Sequence, residues 1–143
     1  MNTPNNIVYT VSAQSTGGRG GQGITTDPEL TLDLRAPKEL GGPGGGANPE
    51  QLFAIGYGAC FQGAMGLASK ELGASTKDSV VRTTVGLGPE GDSFALTVKI
   101  EVFIPGVDLA EVQRLAERTH ELCPYSKATR GNVPVEVLAV ASL

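Results

Sequence analysis

Residues 49–72 constrain the fold most, because they predict one long helix without a polar side. Asn48 and Pro49 form a typical helix start, a capping side chain followed by proline at the first helical position. Apolar side chains then point in nearly every direction around the helix axis: Leu52, Phe53, Ile55, Tyr57, Phe61, Met65 and Leu67. Such a helix must be buried on most of its sides.

This helix is long enough to cross a membrane, but its composition argues against insertion. It contains four glycines together with Tyr57 and Gln62. The N-terminal residues MNTPNNIVYT have neither the basic nor the apolar segment of a signal peptide. We therefore expect a cytoplasmic protein that does not insert into membranes. Its two cysteines then favour a catalytic or redox role over a structural disulfide.

The rest of the chain predicts an α+β fold. Asp108 begins a second helix that Pro124 ends, and a short helical turn is predicted over 125–131. A turn at 89–91 separates two of the strands. The strands are predicted over residues 7–14, 24–26, 30–34, 79–87, 93–104 and 133–140. The order is βββ-α-ββ-α-(α)-β, which we expect to form a single domain over residues 1–143.

Charge and glycine patterns argue against nucleic-acid and cofactor binding. The net charge is −4 and no window clusters lysine and arginine, so the chain lacks the basic patch of a nucleic-acid-binding protein. Gly18, Gly20 and Gly23 match a dinucleotide-binding pattern, but a strand pattern follows where a helix is required. The glycines at 42–46 lack the lysine and hydroxyl residue of a phosphate-binding loop. We expect no bound cofactor.

Glu117, His120 and Cys123 recur at three-residue spacing on the second helix, as metal ligands can. A carboxylate-bridged metal site needs further glutamates from other buried helices, and the long helix offers only Glu50 and Glu71 near its ends. We therefore expect Glu117, His120 and Glu121 to form a solvated helix face, and we expect no metal site.

Cys123 begins the sequence Cys-Pro-Tyr-Ser, which is similar to the active-site motif of monothiol glutaredoxins. In that fold the cysteine lies at the N-terminus of a helix, where the helix dipole lowers its pKa. Here it follows a helical pattern, and the C-terminal end of a helix disfavours a thiolate. A glutaredoxin-like oxidoreductase that uses Cys123 remains an alternative, as does a binding module in which both thiols are passive.

Cys60 lies about three turns into the apolar helix, among glycine and alanine residues. Burial alone raises the pKa of a thiol and makes it unreactive, so Cys60 needs a cation from another part of the protein. Arg19 is a candidate, because it is the one side chain with charge in a turn otherwise made of glycines. Glu50, in the first turn of the helix, can hold its guanidinium through two hydrogen bonds.

Three segments together resemble the organic hydroperoxide resistance family of the OsmC-like superfamily. They are TGGRGG at 16–21, NPEQLFAIGYGACFQGA at 48–64 and HELCPYSKATRGNV at 120–133. The resemblance implies a peroxidatic Cys60, a resolving Cys123, and Arg19 with Glu50 as the activating pair. It also implies an intertwined homodimer with long central helices flanked by β-sheets. It further implies a Cys60–Cys123 disulfide that dihydrolipoyl groups of lipoylated proteins reduce again.

The predicted chemistry is the reduction of organic hydroperoxides during oxidative stress. The apolar residues near Cys60 are then candidates to hold the alkyl or acyl chain of the substrate: Phe53, Tyr57, Phe61 and Met65. Glu50 and Cys60 lie ten residues apart, which is about 15 Å along a helix axis. Arg19 either spans part of this gap within one subunit or, as we favour, reaches Cys60 of a partner subunit together with Glu50.

Overall fold

The six strands of the chain form two three-stranded sheets, one in each of two structural units. The structure, a computed structural model, describes all residues from Met1 to Leu143, and its units are Met1–Leu52 and Phe53–Leu143. The order of strands and α-helices is βββ-α-ββ-α-α-β, which confirms the predicted α+β class and order of elements. The expectation of a single domain stays a prediction.

The first unit is a short antiparallel sheet in the order β1-β2-β3. Its strands are Ala13–Thr16, Gln22–Thr25 and Thr31–Asp33. A tight turn with a short 3-10 helix at Gly18–Gly20 joins the first two strands and presents Arg19. Glycine is required here, because Gly17 has a φ of +67° and a Cβ on Gly21 would lie 1.7 Å from the carbonyl oxygen of Thr16.

The first strand is shorter than predicted. The sequence pattern indicated a strand over 7–14, but β1 begins at Ala13 and pairs with β2 only from there. Ile7, Val8 and Tyr9 are all more than two-thirds exposed. Residues 7–12 have a strand-like composition but no partner strand within the chain, and a strand is stable only when its backbone groups are paired.

Helix α1 runs from Pro49 to Leu72, as predicted. A reciprocal pair of hydrogen bonds caps its start: the Asn48 side chain accepts from the Gln51 backbone N–H, and the Gln51 side chain accepts from the Asn48 N–H. α1 is also the one helix that is long and apolar enough to cross a membrane. Core helices of soluble proteins can have the same length and composition.

The second unit packs α1 and helix α2 with a mixed sheet in the order β4-β5-β6. β4 and β5 are antiparallel, whereas β5 and β6 are parallel. The predicted turn at 89–91 is wrong in part, because Pro89 and Glu90 still pair with β5 and the chain turns at Gly91 and Asp92. The remaining elements are β4 (Val80–Glu90), β5 (Ser93–Phe103), α2 (Leu109–Leu122), α3 (Pro124–Thr129) and β6 (Val135–Ala139).

The core of the second unit follows from periodicity. Val98, Ile100 and Val102 alternate along β5 and are buried, as expected for the inner face of a strand. The buried positions of α2 recur at helical spacing: Val112, Leu115, Ala116 and Thr119. The Gln113 side chain ties α2 to β6, since it donates to the Val137 carbonyl and accepts from the Ala139 N–H.

Helix α1 is buried along one stripe only, not on most of its sides as its sequence predicted. The stripe consists of Tyr57, Phe61, Ala64, Met65 and Ala68. On other sides, Ile55 is 70% exposed and Leu67 is 58% exposed. The prediction was wrong for the single chain because one sheet and one helix layer can cover only one side of a helix.

The N-cap of α2 gives a test of local stability. The Asp108 carboxylate accepts a hydrogen bond of 2.9 Å from the Ala110 N–H, so Asp108→Ala should lower the free energy of unfolding by about 1 kcal/mol. Asp92→Ala, in the exposed β4–β5 turn, is the control and should change it by less than about 0.5 kcal/mol. Equal effects in urea denaturation would contradict this assignment.

Candidate active site

The two cysteines lie side by side between α1 and the junction of α2 with α3. The Cys123 and Cys60 Sγ atoms are 3.7 Å apart and are not joined by a disulfide bond. Cys123 is fully buried, whereas Cys60 is half-buried and therefore the more accessible of the two. A small movement of either side chain would bring the sulfurs to bonding distance, so the geometry is suited to a reversible disulfide.

The local environment does not by itself turn Cys60 into a thiolate. Burial raises its pKa above the ordinary value, and the neighbouring Cys123 thiol raises it further. The Tyr125 backbone amide acts in the opposite direction and lowers the pKa of Cys60 without reversing the net shift. This agrees with the sequence argument that Cys60 needs a cation before it can react as a nucleophile.

Cys123 occupies a junction between two helices. It follows the last residue of α2 and directly precedes Pro124, the first residue of α3. Its N–H donates to the Thr119 carbonyl at 2.8 Å, and its carbonyl accepts from the Lys127 N–H at 2.9 Å. The sequence predicts Cys123 only at the end of a helix, and the helical turn predicted over 125–131 begins one residue later than α3 does. The effect of the Tyr125 backbone amide on the pKa of Cys60 was therefore not predicted.

Arg19 and Glu50 form a two-pronged ion pair within the first unit. Both guanidinium-to-carboxylate distances, Nη1 to Oε2 and Nη2 to Oε1, are 2.7 Å. The hydrogen bonds from Arg19 lower the pKa of Glu50, and those to Glu50 raise the pKa of Arg19. The predicted pairing of these side chains is thus present, and it holds the guanidinium plane in a fixed orientation.

A buried network of hydroxyl groups beside the cysteines was not foreseen. The Tyr57 hydroxyl donates to Ser126 Oγ at 2.9 Å and lies 3.1 Å from Thr129 Oγ1. His120 Nδ1 lies 2.8 Å from the same Ser126 oxygen. The expectation that His120 belongs to a solvated face is therefore wrong. Only the i, i+3 spacing of Cys123 and Ser126 hinted that Ser126 would face inward.

The four apolar residues proposed from the sequence lie in the core or at its edge. Tyr57, Phe61 and Met65 have no exposed surface, and Phe53 is partly buried against them. Phe53 and Tyr57 also contact the ring of Tyr125, with ring centroids 6.2 Å and 5.7 Å from it. An open recess of about 330 Å³ on another side of α1 is lined by different residues: Ala54, Ile55, Gly58, Ala59, Gln62, Val81 and Thr83.

The fold and this site define an α+β protein with two cysteine thiols side by side. The family model described as OsmC-like protein matches residues 42–138. The organic hydroperoxide resistance protein of Xanthomonas axonopodis pv. citri is 44% identical over 94% of this chain and 96% of its own length. This chain belongs to the OsmC-like family, in its organic hydroperoxide resistance subfamily.

Solved structures agree with this assignment. The crystal structure of an organic hydroperoxide resistance protein from Legionella pneumophila is 43% identical, has a TM-score of 0.86, and aligns with 96% of this chain and 100% of its own. OhrB of Bacillus subtilis is 37% identical with a TM-score of 0.84, and the alignment covers 94% of this chain and 100% of that one. Both similarities extend over both units of the sequence.

His120 is the one histidine of the chain, so its titration can be followed through stability. Burial lowers its pKa, nearby Arg130 lowers it further, and Glu121 partly offsets this. The unfolded chain therefore takes up a proton at His120 before the folded protein does. We expect the free energy of unfolding to fall as the pH decreases below about 6.5.

The comparison is urea denaturation of the wild type and of His120→Gln between about pH 7.5 and about pH 5.5. The lowered pKa values of Glu50 and Glu101 act at more acidic pH and do not interfere. The variant should show a flatter dependence on pH. An identical slope in both proteins would mean that His120 is not coupled to folding.

Proposed function

We propose that this protein is a thiol peroxidase that reduces organic hydroperoxides to alcohols, with Cys60 as the attacking thiolate and Cys123 as the resolving thiol. Membership of its family supports a role in peroxide detoxification under oxidative stress. The observation that carries the mechanism is the 3.7 Å separation of the two sulfurs. The full burial of Cys123 argues against a glutaredoxin-like enzyme, in which that thiol would attack an external disulfide.

The reaction proceeds in two chemical steps. The Cys60 thiolate attacks one peroxide oxygen, the O–O bond breaks, and the leaving alkoxide takes a proton to become the alcohol. Cys60 is left as a sulfenic acid. Cys123 then attacks the Cys60 sulfur, which forms the disulfide and releases the sulfenic hydroxyl with the thiol proton as water. This second step protects Cys60 from oxidation to the sulfinic acid.

Arg19 has two functions in this proposal. Its positive charge favours the Cys60 thiolate over the thiol, and it stabilises the negative charge that develops on the leaving oxygen. Glu50 orients the guanidinium through the two 2.7 Å hydrogen bonds. A lysine cannot replace Arg19 fully, because an ammonium group does not form this planar two-pronged pair.

Selectivity for organic hydroperoxides would come from apolar surface near Cys60. Of the four residues predicted to bind the substrate, Tyr57, Phe61 and Met65 are fully buried in the single chain, so the partly exposed Phe53 is the one placed to contact the substrate directly. Each methylene of the substrate that is removed from water contributes roughly 0.8 kcal/mol. Bulky hydroperoxides should therefore react better than hydrogen peroxide.

The Cys60–Cys123 disulfide would be reduced by an external dithiol, for which we propose the dihydrolipoyl group of a lipoylated protein. A dithiol on a flexible arm can reach the half-buried Cys60 sulfur, form a mixed disulfide and then close its own ring. No bound cofactor or metal takes part in this cycle. We place the protein in the cytoplasm, where such reduced dithiols persist.

A homodimer is supported by the uncovered side of α1. Leu52, Ile55 and Leu67 are 40%, 70% and 58% exposed, and an apolar helix surface of this kind requires a partner. Glu50 and Cys60 lie ten residues apart along one helix, so one Glu50–Arg19 pair serves its own Cys60 poorly. We propose that Arg19 and Glu50 of one subunit act on Cys60 of the other.

The order of the two thiols can be tested by counting free thiols with Ellman's reagent before and after one equivalent of cumene hydroperoxide. The wild type should lose both thiols together. Cys123→Ser should consume about one equivalent and stop at a sulfenic acid, which excess peroxide oxidises further. Cys60→Ser should react slowly or not at all. A single turnover retained by Cys60→Ser would instead favour the glutaredoxin-like alternative.

Shared active sites can be tested by mixing two inactive variants. Cys60→Ser and Arg19→Ala subunits should regain peroxidase activity when chains exchange, because one site of each mixed dimer combines an intact Cys60 with an intact Arg19. The control is Arg35→Ala, which changes another arginine of the first unit. This variant should have peroxidase activity by itself, without subunit exchange. Mixed dimers that form but stay inactive would show that each site is built within one chain.

A further inference from the structure

Two side-chain contacts join α1 to the start of α3. The residues that make them lie three positions apart in α1 and three positions apart at the α2–α3 junction. Tyr57 and Cys60 are three residues apart on α1, and Cys123 and Ser126 are three residues apart across the junction. The hydroxyls of Tyr57 and Ser126 are 2.9 Å apart, and the sulfurs of Cys60 and Cys123 are 3.7 Å apart. Residues three apart on a helix are neighbours on its surface. The hydrogen bond therefore lies about one turn from the reacting sulfurs.

This hydrogen bond is buried and supported at both ends. Tyr57 and Ser126 have no exposed surface. Ser126 Oγ also lies 2.8 Å from His120 Nδ1, so with a neutral imidazole it accepts from Tyr57 and donates to His120. Thr129 Oγ1 lies close to the Tyr57 hydroxyl and donates to the Tyr125 carbonyl. A buried network in which each hydroxyl has a partner is rigid.

The backbone at Cys123 has little freedom of its own. Its N–H is bonded to α2 and its carbonyl to α3, so the Cys123 sulfur moves with the junction between these helices. The hydroxyl contact between Tyr57 and Ser126 fastens that junction to α1, which carries Cys60. A displacement of about 1 Å between reacting groups can slow a reaction by about 100-fold.

On the basis of the proposed function, we propose that Tyr57 and Ser126 are positioning residues for disulfide closure: their hydrogen bond holds Cys123 at attacking distance from the sulfenic acid of Cys60. The step they support joins the two sulfurs and expels the sulfenic hydroxyl, which leaves as water with the Cys123 thiol proton. Cys123 is oxidised and the sulfenyl sulfur is reduced. When closure is slow, a second hydroperoxide molecule oxidises Cys60 to the sulfinic acid instead.

The test follows sulfenic acid formation and disulfide closure separately, by rapid mixing with cumene hydroperoxide and trapping with dimedone. Tyr57→Phe removes the contacts to Ser126 and Thr129 and should slow closure about tenfold or more. Ser126→Ala should slow it less, because the Tyr57 hydroxyl keeps Thr129 as a partner. In Ser126→Ala, closure should slow more than sulfenic acid formation. Both variants should accumulate sulfinic acid at lower peroxide concentrations than the wild type.

Thr119→Val is the matched control. Thr119 is also fully buried, but its hydroxyl bonds only to the Leu115 carbonyl within α2, so its loss should leave the closure rate unchanged. The double variant Tyr57→Phe/Ser126→Ala should close no more slowly than Tyr57→Phe alone, because Tyr57→Phe already removes the hydrogen bond from Ser126 to α1, and the remaining Ser126–His120 contact lies within the α2–α3 junction. Thermal unfolding of all variants shows whether closure rates simply follow stability.

The proposal is overturned if Tyr57→Phe and Ser126→Ala close at the wild-type rate, if the two effects multiply in the double variant, or if Thr119→Val at equal stability is as slow. If Tyr57→Phe does not fold, the proposal is tested by Ser126→Ala alone, and it fails if this variant slows disulfide closure no more than sulfenic acid formation.

Closure driven by diamide, which takes up two electrons and two protons as the disulfide forms, repeats the comparison without hydroperoxide. A wild type that forms no sulfenic acid but closes with diamide would refute the peroxidase and still test the positioning.

Discussion

Helix α1 has apolar side chains on every side, while the chain that contains it covers only one stripe. That stripe, Tyr57, Phe61 and Met65 with the alanines beside them, forms the centre of the core of the second unit. Its packing brings Cys60 against the α2–α3 junction, where Cys123 lies. The remaining apolar surface, with Ile55 and Leu67 exposed, gives a physical reason for a second copy of the chain. The core, the candidate site and the proposed assembly thus all depend on how one helix is covered.

The same burial creates an electrostatic conflict at the site. Cys60 gains packing from its place on α1, but burial raises its pKa and disfavours the thiolate that a peroxidase needs. The Tyr125 N–H offsets part of this cost. The proposed chemistry requires a fixed positive charge for the rest, and the Arg19–Glu50 pair is built to carry one in a defined orientation. In this proposal Cys60 becomes reactive only when the Arg19 guanidinium lies close to its sulfur.

The sequence was sufficient wherever structure depends on local patterns. The Asn48–Pro49 start of α1, the Asp108 cap of α2 and the alternation along β5 all depend on residues within a few positions of each other. Predictions from the sequence were wrong where contacts with residues distant in the chain determine the structure. Residues 7–12 have strand composition but no strand to pair with, and His120 turns inward to a hydroxyl that sequence spacing alone did not reveal. Periodicity reports which residues prefer burial, not what they contact.

For the candidate site, the sequence by itself determined the chemistry: two thiols, a glycine-held arginine, and a glutamate that forms its ion pair. The resemblance to a known family assigned roles that residue types and spacing left open. Only the tertiary structure decided that the sulfurs lie 3.7 Å apart and that the Tyr125 backbone amide lowers the pKa of Cys60. It also placed a buried hydroxyl pair one turn away from the thiols. The reason is physical: these contacts join α1 to a junction more than sixty residues away, and their distances are set by the packing of the whole core.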